Sequence, residues 1–153
     1  MKIVRERMAP KLTVATTSLI SEMTDIETNL NKAAEVIARA AATGAEVIVF
    51  PELFLTGYSC GEVEGKFFEL AEPIPGPSTE ALVRLATKHN IYVAIGLPEA
   101  NQEYPGIIHN SAVFLGPEGI VQVYRKGLLP PRIASHCKGL QPRYINGERS
   151  FRL

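Results

Sequence analysis

The chain has 153 residues, of which 46% are apolar and 21% are charged, and its formal net charge is zero. This length and composition are typical of one globular domain. A neutral chain offers no electrostatic basis for binding nucleic acid, and no apolar run reaches the roughly 20 residues of a membrane span. We therefore expect neither a nucleic-acid partner nor a membrane partner.

The cysteines and histidines of the sequence form no recognisable disulfide or metal-binding pattern. Cys60 and Cys137 lie far apart and form no Cys-x-x-Cys pair, so a disulfide framework is not expected and the reducing cytoplasm is the predicted location. His109 and His136 are too isolated for a metal cluster, and no cofactor or metal is predicted. Residues 1–10 carry charges without the apolar segment of a secretory signal, and we interpret them as a flexible leader.

The first elements of the chain predict a strand, a helix and a second strand. Residues 11–17 alternate and are rich in β-branched side chains, which favours a strand. Thr24 and Glu27 form a capping-box pattern for a helix that ends at Gly44. Residues 47–50 are a continuous apolar run that is typical of a buried strand. The two strands are predicted to be parallel, because a helix connects them.

Two further helices are predicted in the middle of the chain. Residues 64–71 favour a short, weak helix after a loop rich in glycine and polar side chains. A group of prolines then breaks the chain, and Ser78 or Thr79 is the predicted cap of a second helix that ends near Asn90.

The last predicted elements are three strands. Residues 91–97 form an apolar strand that we expect to end at Pro98, and residues 109–115 and 120–125 flank the turn 116–119 of a hairpin. This order predicts a mixed sheet with its helices on one face, in the α/β class with an α+β character. The opposite face of such a sheet needs a second sheet to cover it.

Glu52 is the first candidate functional residue, because it follows directly after the buried strand 47–50. Pro51 cannot donate to a sheet ladder, so the strand ends there. Glu52 then lies at the carboxyl edge of the sheet, where α/β proteins place their ligands. The alternative is an ordinary surface glutamate.

The segment around this residue and a second motif after the hairpin resemble one enzyme family. Phe50-Pro51-Glu52-Leu53, then Gly57-Tyr58, then Tyr124-Arg125-Lys126 after the hairpin, are similar to the carbon–nitrogen hydrolase (nitrilase) family in order and spacing. The resemblance covers residues 11–126. It implies a four-layer α-β-β-α sandwich and catalysis by a glutamate, a lysine and a cysteine.

The resemblance also implies roles for individual residues. Glu52 would be the general base, and Lys126 would stabilise the charge of the tetrahedral intermediate; alone, Lys126 would be interpreted as a solvated lysine at a strand end. Tyr58 would line the substrate pocket or orient Glu52, with a packed aromatic residue as the alternative. Asn110 and Ser111 are interpreted as structural residues that anchor the loop carrying Glu52.

Part of the family pattern is not found in this sequence. The nucleophilic cysteine of the family lies in a hydrophobic-Cys-Tyr/Trp-Asp/Glu segment, and neither Cys60 nor Cys137 has that setting, so both are expected to be surface thiols. A second glutamate of the family has no counterpart in residues 127–147, where Gln141 is one candidate to fill its role. Residues 127–153 are interpreted as a loop-like tail of the same domain that is cut short.

Three functions remain open at this stage. The first is hydrolysis of a non-peptide carbon–nitrogen bond in an amide, N-carbamoyl compound or nitrile, by Glu-Lys-Cys catalysis with the cysteine outside this chain, so that the chain alone is inactive. The second is a catalytically inactive, truncated homologue that acts as an interaction or oligomerisation module. The third is a small-molecule binding domain. The family resemblance also implies a homo-oligomer.

Overall fold

A computed structural model describes residues 11–58 and 66–127 of the chain. The leader, Cys60 and the tail with Cys137 and Gln141 lie outside the described residues. The elements are β1 (Val14–Thr16), α1 (Ile26–Ala42), β2 (Val47–Val49), α2 (Lys66–Leu70), α3 (Pro77–His89), β3 (Tyr92–Ala100), β4 (Ile108–Gly116) and β5 (Gly119–Arg125).

The strands form one mixed sheet in the order β1-β2-β3-β4-β5. β1, β2 and β3 are parallel, and β4 and β5 continue the sheet with antiparallel pairing. Because both crossovers run in the same direction and with the same hand, α1 and α3 lie on one face of the sheet and pack on each other. The prediction of a mixed sheet with helices on one face is confirmed.

The hydrophobic core lies between the two long helices and the sheet. Alternate strand residues point toward the helices, as the two-residue period of a strand requires. The core combines residues of α1, α3 and the three central strands: Ala33, Ile37, Ala40, Leu82, Ala86, Ile48, Val93, Ile95, Val113 and Leu115. Within the described ranges, no helix combines the length and the apolarity that crossing a bilayer requires.

The other side of the sheet, here called the open face, carries neither of the two long helices, α1 and α3. Its side chains alternate with those of the core and include Val14, Val49 and Tyr124, which are 49%, 37% and 58% exposed. The described residues thus form one helix layer and one sheet, and the apolar open face is the surface that a second sheet would cover.

Two predicted helix caps are wrong. α1 is capped by Asp25, whose carboxylate accepts the backbone N–H of Thr28 at 2.9 Å, rather than by Thr24. The N-cap of α3 is Gly76 rather than Ser78 or Thr79. Thr79 lies one turn inside, where its hydroxyl accepts the N–H of Gly76 at 2.8 Å.

The predicted end of the third strand is also wrong, because β3 continues through Pro98 to Ala100. Pro98 pairs with Asn110 of β4, and on the other side of β3 the Glu72 N–H donates to the Pro98 carbonyl at 3.3 Å. The nitrogen of Pro98 faces away from β4, on the same side as its carbonyl. β2 has already ended there, so the absence of an N–H removes no hydrogen bond of the sheet.

The loop after β2 lies against β3, and Gly96 makes this possible. Leu53, Phe54 and Leu55 of the loop are fully buried, and the Leu55 N–H donates to the Gly96 carbonyl at 3.2 Å. A Cβ atom at position 96 would lie 2.4 Å from the backbone nitrogen of Leu53. The loop that carries Glu52 therefore approaches β3 more closely than any side chain at position 96 would allow.

We expect Gly96→Ala to destabilise the fold by about 1–3 kcal/mol, because the added methyl group meets backbone rather than a flexible side chain. Urea unfolding measures this change. Ala112→Ser, at the exposed position that pairs with Gly96 on β4, is the matched control and should stay within about 0.5 kcal/mol of the wild type. Equal stabilities of the two variants would contradict the close approach.

Candidate active site

Glu52 and Lys126 meet although 74 residues separate them in the sequence. Lys126 Nζ donates to Glu52 Oε1 at 2.6 Å. Glu52 follows the end of β2, and Lys126 follows the end of β5, which runs in the same direction as β2. The fold brings the two charged residues of the sequence motifs into one hydrogen-bonded ion pair.

Asn110 of β4 contacts both members of the pair. Its Nδ2 donates to Glu52 Oε1 at 2.6 Å, and its carbonyl oxygen accepts the backbone N–H of Lys126 at 2.8 Å. The side chain of Asn110 is buried, whereas the side chains of Glu52 and Lys126 are 45% and 30% exposed. Asn110 therefore orients the carboxylate from the side and fixes the backbone of the lysine.

The loop that carries Glu52 is held by a residue that the sequence analysis missed. Asn29 of α1 is fully buried; it accepts the N–H of Glu22 at 2.7 Å and donates to the Leu55 carbonyl at 3.0 Å. The available signal was its position, one helical turn before Ala33 on the apolar face of α1. A polar amide on the core side of a helix is satisfied by partners from another segment.

The charge on Lys126 is stabilised by its surroundings. The hydrogen bond that Lys126 donates to Glu52 raises the pKa of Lys126, while partial burial acts in the opposite direction, and the negative charge of Glu52 adds to the rise. Lys126 is therefore an ammonium group at neutral pH and keeps its charge further into the alkaline range than an ordinary lysine.

Tyr58 lies near the pair at the end of the loop. Partial burial and the negative charge of Glu52 raise the pKa of its hydroxyl, and the charge of Lys126 opposes this rise. The ring is 42% exposed. Among the described residues, the donors to Glu52 are Asn110 and Lys126, so Tyr58 borders the site without a hydrogen bond to that carboxylate.

The pair lies in a cleft of about 330 Å³ on the open face of the sheet. Val49, Ala94 and Ala112 give the cleft an apolar floor, and Tyr124 forms part of its wall. Tyr124 belongs to the motif Tyr124-Arg125-Lys126, and its place in the cleft was not predicted from that motif. Such a cleft can hold a small polar group beside a carboxylate that accepts a proton and an ammonium that stabilises negative charge.

In residues 11–58 and 66–127, no three histidine, cysteine, aspartate or glutamate side chains gather as a metal ion would require. The charged groups of the cleft are the two members of the ion pair, which satisfy each other.

The sequence is similar to curated nitrilases and amidases. A nitrilase from Pyrococcus abyssi is 35% identical over 114 residues, which are 74% of this chain and 42% of that protein. An omega-amidase from Xenopus laevis is 40% identical over 62% of this chain and 32% of its own length. The chain thus spans less than half the length of these relatives.

Solved structures share the fold. An N-terminal amidase superposes with a TM-score of 0.71 at 24% identity, over 86% of this chain and 31% of that chain. A carbon-nitrogen hydrolase from Helicobacter pylori gives a TM-score of 0.72 at 22% identity, over 86% of this chain and 44% of that chain. The described sheet and helices therefore belong to the nitrilase fold. The family model for carbon-nitrogen hydrolases matches residues 13–143, and the chain is a member of that family.

Proposed function

We propose that this chain supplies the base and the charge-stabilising lysine of a hydrolase that cleaves a non-peptide carbon–nitrogen bond in an amide, N-carbamoyl compound or nitrile. The observation that carries the proposal is the 2.6 Å contact of Lys126 Nζ with Glu52 Oε1 inside an open cleft. The names of the similar proteins, which are nitrilases and amidases, support the same substrate class.

The two charged groups match two needs of the reaction. Attack of a thiolate on an amide carbon places negative charge on the former carbonyl oxygen, and the Lys126 ammonium is fixed where it can stabilise that charge. Glu52 accepts the thiol proton and returns a proton to the leaving nitrogen, which is general base and then general acid catalysis. Tyr58 and Tyr124 border the position of the substrate.

The thiolate completes the set. Cys60 and Cys137 lie outside the described residues, and neither has the strand-end setting in which the family places its nucleophile. We propose that neither of them attacks the substrate. The 153-residue polypeptide by itself is then a binding half-site that holds an amide without cleaving it.

Amide binding tests the proposed site directly. In ¹⁵N NMR spectra, addition of a simple aliphatic amide should shift the side-chain NH₂ signals of Asn110, because this group lies beside both charges. Glu52→Gln and Lys126→Met should each abolish the shift. The matched control is Glu22→Gln with Lys32→Met, a pair with the same chemistry at 2.7 Å outside the cleft, which should leave the shift intact. Amide binding that survives both site variants would overturn the proposal.

Ammonia release tests the assignment of the nucleophile. We expect no release from a panel of amides, N-carbamoyl compounds and nitriles by the 153-residue chain, because removal of a covalent nucleophile eliminates most of the acceleration. Turnover that Cys60→Ser or Cys137→Ser abolishes without unfolding the protein would show that this assignment is wrong. In that event Glu52→Gln should lower kcat by roughly 10²- to 10⁴-fold, as loss of a general base does.

Tyr58 is proposed to contact the substrate through its hydroxyl group. We expect Tyr58→Phe to weaken amide binding about fivefold, which corresponds to one neutral hydrogen bond of about 1 kcal/mol. Tyr92→Phe is the control, since Tyr92 donates to Glu118 at the other end of β3. Equal dissociation constants for Tyr58→Phe and the wild type would assign Tyr58 to packing alone.

The alternative function, an interaction module, is favoured by the apolar open face. Val14 is 49% exposed there, and large exposed apolar surfaces promote association. We propose that the chain forms a homo-oligomer through this face. Light scattering should show a dimer or larger species that Val14→Lys dissociates, while Asn31→Lys, an equal charge change on exposed α1, does not. A monomer in the wild type would exclude this module.

A further inference from the structure

A second carboxylate, Glu99 of β3, lies under the same strands on the face that the helices cover. Its side chain is only 4% exposed. Arg125 donates to it through Nε at 2.7 Å and also through Nη2, and the hydroxyl of Ser111 donates at 2.7 Å. Burial alone would raise the pKa of Glu99, but the hydrogen bonds from Arg125 and Ser111 outweigh it and lower that pKa, so Glu99 stays ionised at neutral pH.

The partners of Glu99 are the direct neighbours of the residues that hold Glu52. Ser111 follows Asn110 on β4, Arg125 at the end of β5 directly precedes Lys126, and Ser111 pairs with Arg125 in the sheet register. Consecutive residues of a strand point to opposite faces. Glu99 therefore joins β4 to β5 from the helix side at the same level at which Glu52 joins them from the cleft side.

This arrangement matters for Lys126 because β5 is the edge strand and ends at Arg125. Beyond Arg125, the Lys126 N–H donates to the Asn110 carbonyl, and this is the last bond between the two strands that the structure describes. The guanidinium of Arg125 binds the carboxylate through two nitrogen atoms, which fixes the orientation as well as the position of the strand end.

We propose that Glu99 is a positioning residue, which acts through Arg125 and Ser111 to hold Lys126 against Glu52. The alternative is that the Glu99–Arg125 pair stabilises the sheet and has no effect on the ammonium group. The proposal concerns the geometry of the pair and does not depend on turnover. Its consequence for hydrolysis rests on the proposed function.

Lys32 is a reference for Lys126 within the same molecule. Both amines are hydrogen-bonded to a glutamate, at 2.7 Å and 2.6 Å, and their side chains are 31% and 30% exposed. Competitive acetylation with limiting acetic anhydride, read by mass spectrometry, gives the ratio of Lys126 to Lys32 labelling. A lysine released from its carboxylate loses protection and reacts faster.

We expect Arg125→Lys and Ser111→Ala to raise the Lys126 to Lys32 ratio severalfold. Arg125→Lys keeps every charge near the amine and removes only the two-pronged hydrogen bond, so a purely electrostatic effect would leave the ratio unchanged. Glu22→Gln is the matched control, because it releases Lys32 and should lower the ratio. Unfolding by urea, measured beside each variant, identifies changes that follow from loss of structure.

Glu99→Gln combined with Arg125→Met separates geometry from charge. We expect Glu99→Gln alone to raise the Lys126 to Lys32 ratio. If Glu99 acts through position, the double variant keeps this raised ratio; if it acts only through its charge, removal of both charges restores the wild-type ratio and the proposal fails. An unchanged ratio in both Arg125→Lys and Ser111→Ala, with the fold intact, would also overturn it. The groups that face the amine, Glu52, Tyr58 and Tyr124, stay the same throughout.

The labelling result is independent of amide binding. Loss of amide binding in the site variants with no labelling change in the Glu99 variants would uphold the proposed function and reject the positioning role. Raised labelling of Lys126 in the Glu99 variants, together with amide binding that is unchanged in Glu52→Gln and Lys126→Met, would uphold the positioning role and reject the proposed function.

Discussion

One hydrogen-bonded ion pair connects the residues that follow β2 and β5, and the site depends on it. Glu52 leaves the parallel half of the sheet after β2, and Lys126 leaves the antiparallel half after β5. Neighbouring strands are about 4.8 Å apart, so three strand spacings separate β2 from β5. The pair at 2.6 Å is possible only because the chain after β2 crosses above β3 to reach β4 and β5.

Small and polar residues make this crossing possible. Gly96 has no side chain with which the loop could collide. The buried side chains of Leu53, Phe54 and Leu55 hold the loop at the end of the core. Asn29 satisfies the Leu55 carbonyl from the helix side. The position of Glu52 is thus set by packing and by backbone hydrogen bonds, and not by its charge alone.

The sequence predicted the elements that have a clear period and the residues that belong to a motif. The strand 47–50, the helix ending at Gly44 and the hairpin 109–125 were identified because periodicity and turn residues agree there. The caps were not: Thr24 and Asp25 are adjacent good caps, and only the backbone geometry decides between them. Pro98 was expected to end β3, since a sequence does not show which side of a strand lacks a partner.

The polar residues that support the site were harder to find for a related reason. Asn29 and Glu99 each bind a partner 26 residues away, namely Leu55 for Asn29 and Arg125 for Glu99. Neither residue belongs to a local pattern, and a buried polar side chain looks like an exception to the apolar period until its partner is known. Glu52 was recognised because it follows a buried strand at the carboxyl edge of the sheet, and Lys126 because the segment Tyr124-Arg125-Lys126 resembles the family motif.

The energetics of the pair explain why so many neighbours contact it. Side chains that are 45% and 30% exposed remain in contact with water, and exposed ion pairs contribute only about 0–1 kcal/mol. Such a pair does not hold its own geometry against side-chain entropy. Asn110 and Arg125 are better fixed. Asn110 is bound to the carboxylate of Glu52 in the loop after β2, and Arg125 is bound to the carboxylate of Glu99 on β3. The relative position of Glu52 and Lys126 is therefore set by the strand ends that carry them and not by the ion pair itself.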